Sequence, residues 1–213
     1  MFKYEADPIK IRNASFQIIR EQASLNQFNN LEQQIVVEML QASGDLSIVE
    51  SLRFSENAVD TALRILGEDY DLLCDSEGVI CGLNNKFLKN EPLCFINKAN
   101  VISQAKSNKQ TRSMTAVDLW KPYLSDSIVI IGSEPTALMR LMYILESLNE
   151  DDGRPALIIA TPAGFVGADE AKQYLWGHHE ALKIPCITLL GKRGSNNLAS
   201  TAMNTLLKMH YNQ

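Results

Sequence analysis

The chain has 213 residues, of which 46% are hydrophobic and 21% are charged, a composition typical of one ordinary globular domain. Its formal net charge of −5 argues against a protein that covers nucleic acid with a basic surface, so we expect no nucleic-acid partner. An acidic total is compatible with a local basic pocket, and an anionic ligand is therefore not excluded.

The N-terminal segment MFKYEADPIKIRN contains no apolar core of a signal peptide, and no apolar run approaches the roughly 18 residues of a membrane span. We therefore expect a cytoplasmic protein that makes no membrane contact. The four cysteines show no C-x-x-C spacing, so the sequence supports no zinc or redox site and we expect no bound metal. Cys74, Cys81 and Cys186 lie in apolar stretches and are predicted to be buried thiols.

Residues 1–67 have the periodicity of helices. A first helix is predicted to begin after Asp7, and a second one runs from Asn30 to a stop at Gly44. A third helix is predicted between Ser55 and Gly67.

From residue 68 to residue 213, short apolar runs alternate with helical patterns. The predicted strands are 71–74, 79–82, 93–96, 127–132, 156–161 and 186–191. The predicted helices are 113–123, 134–148, 168–181 and 196–210. Unbroken apolar strands that alternate with helices indicate a mostly parallel sheet covered on both faces. We therefore predict a single three-layer α/β/α domain over 1–213, with a helical N-terminal portion (1–67) and a sheet portion (68–213).

Three turns that follow predicted strands are rich in glycine and polar residues, at 132–135, 161–167 and 191–194. Ligands of such sheets bind beyond the carboxyl ends of the strands, where N–H groups at helix N-termini favour anions. Lys192 and Arg193 add two cations to the last turn. Each turn alone is compatible with a plain chain reversal, but together they predict a pocket for a ligand with several carboxylates or phosphates.

Side chains in and near these turns have specific expected roles. Ser133 is predicted to cap the helix that follows it, and Glu134 is placed to occupy the anion site of the same turn. Thr111, Arg112 and Ser113 begin another helix after a polar stretch. Arg112 can pair bidentately with a ligand carboxylate, or it can be a solvated arginine beside an N-terminal cap, and the spacing leaves both possibilities open.

These motifs, in this order, resemble those of the precorrin-8X methylmutase family of cobalamin biosynthesis. The matching segments are SFQIIR (15–20), LLCDSEGVICG (72–82), TRSMTAVDLW (111–120), IIGSEPTAL (130–138), PAGFVGADEAK (162–172) and GKRGS (191–195). They run in collinear order over nearly the whole chain, and PAGFVGADE and TRS are the most specific of them.

The resemblance implies a flavodoxin-like doubly wound sheet, a homodimer, a carboxylate-rich corrin precursor as substrate, and no cofactor. It implies an isomerase, a methylmutase that moves a methyl group from C-11 to C-12 of precorrin-8X and so gives hydrogenobyrinic acid or its cobalt-bearing equivalent. The substrate-binding residues that it implies are Ser15, Glu38, Thr111, Arg112, Ser113, Gly164, Phe165, Gly167, Lys192, Arg193 and Gly194.

Segment 38–44, EMLQASG, departs from the family pattern R-M-[IV]-H-A-x-G. Gln41 stands at the position of the family's catalytic histidine, and Glu38 stands at the position of its arginine. Glutamine donates and accepts hydrogen bonds but does not titrate, so Gln41 can orient a ring nitrogen and cannot shuttle a proton. Glu38 reverses the charge that faces an anionic ligand. The alternatives are a non-catalytic family member that binds a corrinoid or another tetrapyrrole, and a member that acts on a different carboxylated ligand.

His178 and His179 lie late in the predicted helix 168–181. Histidines at that position commonly complement the helix dipole, and there they point away from the binding end of the sheet. The sequence therefore favours a dipole-complementing role for them over a catalytic one.

Overall fold

The computed structural model describes residues 4–149 and 151–212. Within them the centre of the molecule is a sheet of strand order β1-β5-β4-β3-β2. Strands β2 to β5 are parallel to their neighbours, and β1 is an antiparallel edge strand on β5. The strands are β1 Leu52–Phe54, β2 Leu72–Cys74, β3 Ile128–Ile131, β4 Leu157–Ala160 and β5 Cys186–Leu189. The prediction of a mostly parallel, three-layer α/β/α sheet is confirmed.

Helices surround this sheet on both faces. They are α1 Pro8–Gln22, α2 Asn30–Ser43, α3 Ala58–Leu66, α4 Glu77–Gly82, α5 Ala99–Asn108, α6 Arg112–Val117, α7 Pro135–Ser147, α8 Ala168–Leu182 and α9 Asn196–Tyr211. Short 3₁₀ turns occur at Leu46–Ser51, Asn85–Phe87 and Asp118–Tyr123. In the described parts of the chain, no helix is both long enough and apolar enough to span a membrane.

Strand β3 illustrates how the sheet separates two hydrophobic cores. Ile128 and Ile130 pack with α2, α3, α4 and α9 on one face, whereas Val129 and Ile131 pack with α5 to α8 on the other. All four side chains are fully buried, which explains why the sequence of this strand is apolar without alternation. Burial of each such side chain contributes about 1.5–3 kcal/mol to folding.

Helix α2 has well-defined ends. It begins with a capping box, because Asn29 accepts from the N–H of Glu32 at 3.0 Å and the Glu32 carboxylate accepts from the N–H of Asn29 at 2.8 Å. It ends at Gly44, whose φ of +64° a glycine adopts without strain. These ends place Glu38 and Gln41 on the last two turns of the helix.

One predicted strand, 79–82, is wrong, and another, 93–96, is reduced to a single β-bridge. Residues 79–82 belong to helix α4, whose N-terminus is capped by Ser76 through a hydrogen bond from the N–H of Val79 at 3.4 Å. A short apolar run does not distinguish a strand from a helix by periodicity alone. Here the cap by Ser76 favours the helix. Segment 93–96 pairs with β2 through Leu93, which donates to the carbonyl of Leu72 at 2.7 Å.

Other sequence expectations were incomplete. The predicted helix 113–123 is divided, since α6 gives way to the 3₁₀ turn that contains Pro122, a residue without an N–H for an α-helix. The helical portion 1–67 also contains strand β1, and the polar stretch before Thr111 contains helix α5. Cys74 and Cys186 are buried as predicted, but Cys81 is exposed because it lies on the outer side of α4.

Candidate functional site

The turn after β3 does not present its backbone N–H groups to a ligand, because the carboxylate of Asp75 occupies them. Asp75 follows β2 and accepts hydrogen bonds from the N–H groups of Gly132 at 3.1 Å, Ser133 at 2.9 Å and Glu134 at 3.0 Å. This corrects two expectations: Ser133 does not cap α7, and the side chain of Glu134 is exposed. The helix N-terminus is thus neutralised from inside the protein.

Asp75 is only 1% exposed, so its environment matters for its charge. Burial raises the pKa of this carboxyl, and the three backbone N–H donors oppose that shift. The three hydrogen bonds hold the Asp75 carboxylate in a fixed position, and the carboxylate in turn orders the turn after β3.

The turns after β4 and β5, residues 161–167 and 191–195, pack against each other and are here called the paired loops. The N–H of Gly164 donates to the carbonyl of Lys192 at 3.0 Å, and the hydroxyl of Thr161 donates to the carbonyl of Ser195 at 3.0 Å. A Cβ atom at Gly194 would overlap the carbonyl oxygen of Thr161, so this close approach requires a glycine.

A buried lysine that sequence reasoning did not single out joins the paired loops. The Nζ atom of Lys172, on α8, donates to the carbonyl oxygens of Pro162 at 2.9 Å and Arg193 at 2.7 Å. The side chain is fully buried, and desolvation lowers the pKa of Lys172 to about 8, although the nearby charge of Asp169 opposes this shift. Its place at the end of the motif PAGFVGADEAK was the available signal.

The paired loops project apolar and cationic side chains into solvent. Phe165 and Val166 are each 88% exposed, and the Nζ atom of Lys192 lies 5.7 Å from the ring centroid of Phe165. Gly167 adopts a φ of +78° at the start of α8. A flat apolar ring beside a cation is suited to a ligand that has both a conjugated face and acidic substituents.

Arg193 connects the paired loops to the end of α2. It forms an ion pair with Asp45 and donates to the hydroxyl of Ser47 at 2.7 Å. The hydrogen bonds from Ser47 and the charge of Arg193 lower the pKa of the Asp45 carboxyl. Arg193, which the sequence predicted as a cation for an anionic ligand, is therefore already paired within the chain.

A groove runs between helices α1, α2 and α9, and we call it the α1–α2–α9 groove. It comprises two adjoining cavities of about 390 and 410 Å³ that share Arg12, Glu38, Thr205 and Lys208. Gln34 and Glu38 line it from α2. Gln41 continues the same face of the helix, since positions i, i+4 and i+7 lie in one stripe, and its side chain is exposed.

Gln41 lies at the junction of the groove and the paired loops. The next residue, Ala42, accepts a hydrogen bond at its carbonyl from the side chain of Asn197, on the first turn of α9, at 3.4 Å. Asp45 and Ser47, just after α2, hold Arg193. A ligand over Gln41 would therefore touch both the groove and the loops.

Charged side chains line the groove. Arg12 forms an ion pair with Glu38, and its guanidinium lies 4.6 Å from the ring centroid of Phe16. Arg20 and Lys208 add two further cations. Sequence analysis did not identify Arg12, although Arg12, Phe16 and Arg20 recur at the i, i+4, i+8 spacing of one helix face.

The remaining predicted site residues lie elsewhere. Thr111 caps α6 by accepting from the N–H of Met114 at 3.1 Å, and Arg112 is exposed beside Asn97, whose side-chain oxygen it reaches at 3.4 Å. Ser113 is 3% exposed within α6. Ser15 is half-buried on α1, where its neighbour Phe16 lines the groove.

The histidine pair lies at the opposite end of the strands, near their amino ends. His178 and His179 bond through Nδ1 to the carbonyls of Tyr174 and Trp176, at 2.8 and 2.7 Å. His179 also lines a depression with Pro185, just before the amino end of β5. Among the residues that the structure describes, no cluster of three or more His, Cys, Asp or Glu side chains is arranged to hold a metal ion.

Comparison with known proteins places this geometry in a family. The family model for precorrin-8X methylmutase matches residues 10–209. The chain is 34% identical to the precorrin-8X methylmutase of Pseudomonas aeruginosa over 97% of its length and 98% of the relative. It is 31% identical to the cobalt-precorrin-8 methylmutase of Leptospira interrogans over 92% and 91% of the two chains.

A solved structure supports the same assignment. The crystal structure of precorrin-8X methylmutase from Thermus thermophilus superposes with a TM-score of 0.83 at 30% identity, over 96% of this chain and 97% of that one. These similarities confirm the predicted family and enzyme class, an isomerase, and give no support to the alternative of a non-catalytic corrinoid-binding protein. The chain belongs to the precorrin-8X methylmutase family.

Proposed function

We propose that this chain catalyses the migration of a methyl group from C-11 to C-12 of precorrin-8X, or of its cobalt-bearing equivalent. The product is hydrogenobyrinic acid or the corresponding cobalt compound. The observation that carries the proposal is the position of Gln41, exposed where the α1–α2–α9 groove meets the paired loops. Its position corresponds to that of the catalytic histidine in the family pattern.

The reaction is an isomerisation, so it needs no co-reactant. The bond from C-11 to the methyl carbon breaks while a bond from C-12 to the same carbon forms, and the π electrons of the macrocycle shift accordingly. The carboxamide of Gln41 donates a hydrogen bond to a ring nitrogen and so stabilises the tautomer in which the methyl group can move. In this proposal Gln41 acts by hydrogen bonding and not by proton transfer, because a carboxamide does not titrate in water.

Other residues hold the substrate in place. Phe165 contacts a face of the macrocycle, and Lys192 and Arg112 bind peripheral carboxylates, as their exposure supports. Gly164, Gly167 and Gly194 shape the paired loops. Thr111 holds the start of α6, and Ser113, the residue after Arg112, is buried. Fixed orientation of the ring is itself a large part of catalysis for a unimolecular rearrangement.

We further propose a homodimer in the cytoplasm, in which each subunit is one domain. Exposed apolar side chains support the dimer: Met139 and Tyr143 on α7 are 48% and 64% exposed, and Met139 lies beside Gly167, at the end of the loop that carries Phe165 and Val166. The single domain is supported by β1, which joins the N-terminal portion to the sheet through β5. Sedimentation equilibrium of wild type and Tyr143→Glu tests the dimer, and the variant should be monomeric.

The methyl migration is tested by following the absorbance of precorrin-8X with wild type, Gln41→Leu and Gln41→His. Wild type should convert the substrate, and Gln41→Leu should reduce kcat by roughly 10- to 100-fold because it removes one preorganised donor. Gln41→His restores a donor and should retain activity. Gln104→Leu, at an exposed position of α5 outside the groove and the paired loops, is the matched control and should leave kcat within about twofold.

Three outcomes would contradict the proposal. Binding of precorrin-8X by wild type without any turnover would exclude the isomerase. Equal kcat values for wild type and Gln41→Leu would exclude Gln41 as the catalytic donor. A failure of wild type to bind precorrin-8X at micromolar concentration would point to a different carboxylated ligand.

A further inference from the structure

We infer that the α1–α2–α9 groove is an anion subsite in which Arg12, on α1, binds a peripheral carboxylate of the ligand while Glu38 holds its guanidinium in place. This inference rests on the proposed function and deepens it, because it states how a chain with a glutamate in the groove accommodates a polyanionic substrate. It assigns the carboxylate contact to a residue outside all the motifs that the sequence singled out.

The charges of the groove favour an anion. Within the described residues, its walls carry the cations Arg12, Arg20 and Lys208 against the single carboxylate of Glu38. The groove is therefore cationic although the chain as a whole has a net charge of −5. Local potential, and not net charge, determines where an anionic ligand binds.

The Arg12–Glu38 pair is well placed for recognition. The Glu38 carboxylate binds one side of the Arg12 guanidinium. The ring of Phe16, whose centroid is 4.6 Å from the guanidinium, covers one face of that group. A guanidinium has five N–H donors, so a carboxylate on one side leaves donors for a second carboxylate. Because Glu38 and Phe16 fix the orientation of Arg12, less conformational entropy is lost when the ligand binds.

The size and position of the groove identify the occupant. Each cavity, at about 390 or 410 Å³, can hold carboxylated side chains of a large ligand and not a whole corrin ring. Gln41 lies one turn beyond Glu38 on the same helix face. The ring would then lie over Gln41 while one or two of its acidic substituents extend into the groove.

The test is a titration of the protein with hydrogenobyrinic acid, followed by the absorbance of the corrin. Arg12→Glu should weaken the Kd about tenfold or more, since a charge-assisted contact is replaced by repulsion. The double variant Arg12→Glu, Glu38→Arg keeps one positive and one negative charge but places each on the other helix. It should restore the Kd to within about threefold of wild type. Raising the ionic strength should weaken binding by wild type more than by Arg12→Glu.

Arg64→Glu is the matched control, because Arg64 is an exposed helical arginine that lines a different depression, beside Asp126 and Pro155. It changes the net charge by the same amount and should leave the Kd unchanged. Equal losses of affinity in Arg12→Glu and Arg64→Glu would overturn the inference, as would a double variant that binds as weakly as Arg12→Glu. Thermal unfolding of each variant shows whether a loss of affinity follows from misfolding. Lys208→Gln provides an independent test of the same subsite.

Failure of the subsite and failure of the proposed function are distinguishable. If wild type converts precorrin-8X but its affinity for hydrogenobyrinic acid does not depend on Arg12, the subsite is wrong and the isomerase stands. If wild type binds the product through Arg12 but does not convert precorrin-8X, the subsite stands and the isomerase is wrong.

Discussion

The Nζ atom of Lys172 lies 2.7 Å from the backbone carbonyl oxygen of Arg193, in a position from which solvent is completely excluded. A second bond, to the carbonyl of Pro162 at 2.9 Å, makes this lysine the link between the two loops that we propose hold the substrate. A buried lysine is costly, and it is retained where its hydrogen bonds satisfy backbone carbonyls that would otherwise be unpaired.

Replacement of Lys172 by methionine should loosen the paired loops. Methionine fills a similar volume but leaves the carbonyls of Pro162 and Arg193 without a donor, so we expect KM for precorrin-8X to rise about tenfold while kcat changes less than threefold. Steady-state kinetics measures this difference. Lys106→Met, at an exposed position of α5, is the control and should change neither constant. An unchanged KM in Lys172→Met would show that the loops keep their positions without this lysine.

Lys172 should also make the stability of the protein depend on pH. Burial lowers its pKa in the folded protein to about 8, whereas the ordinary value is 10.5, so between these pH values the unfolded chain binds more protons than the folded one. The free energy of unfolding contributed by this group therefore rises as the pH increases through that window, by up to about 3 kcal/mol when titration is complete. Below pH 8 the contribution is lost, because the buried amine must be charged.

Urea unfolding of wild type and Lys172→Met at pH 7.5 and pH 9.5 measures this contribution. The difference in the free energy of unfolding between the two proteins should shift in favour of wild type at the higher pH. Subtraction of the variant removes the contributions of other titrating groups, such as the exposed lysines. A difference that is the same at both pH values would mean that Lys172 titrates in the folded protein as it does in the unfolded chain.

The sequence predicts the sheet better than it predicts the site. The four parallel strands were located to within two residues, because strands buried on both faces have unbroken apolar sequences. Strand β1 escaped detection because Arg53 stands at its centre and interrupts the apolar run that marks the other strands. Gln41 and the glycine turns could be identified from motifs, since those depend on local sequence alone.

Interactions between distant segments could not be predicted in this way. Asp75 occupies the N-terminus of α7 from a position 57 residues away from Gly132, and nothing in either segment indicates the other. Arg12 meets Glu38 only because α1 packs against α2. From the sequence alone, the charge reversal at Glu38 therefore looks unfavourable for binding a polyanionic ligand. The structure shows that Arg12 pairs with Glu38.

Two glycine-to-alanine substitutions should have opposite effects on stability. At Gly194 a methyl group would overlap the carbonyl oxygen of Thr161 and lie 2.8 Å from that of Pro162, so Gly194→Ala should reduce the free energy of unfolding by about 1–3 kcal/mol and disturb the paired loops. Gly177 lies within α8 with no atom near its would-be Cβ, so Gly177→Ala should raise the free energy of unfolding by about 0.5–1 kcal/mol. Urea unfolding at neutral pH measures both changes. A stabilising Gly194→Ala substitution would show that the two loops are not held as closely as these contacts require, and it would remove the main structural reason for a glycine at this position.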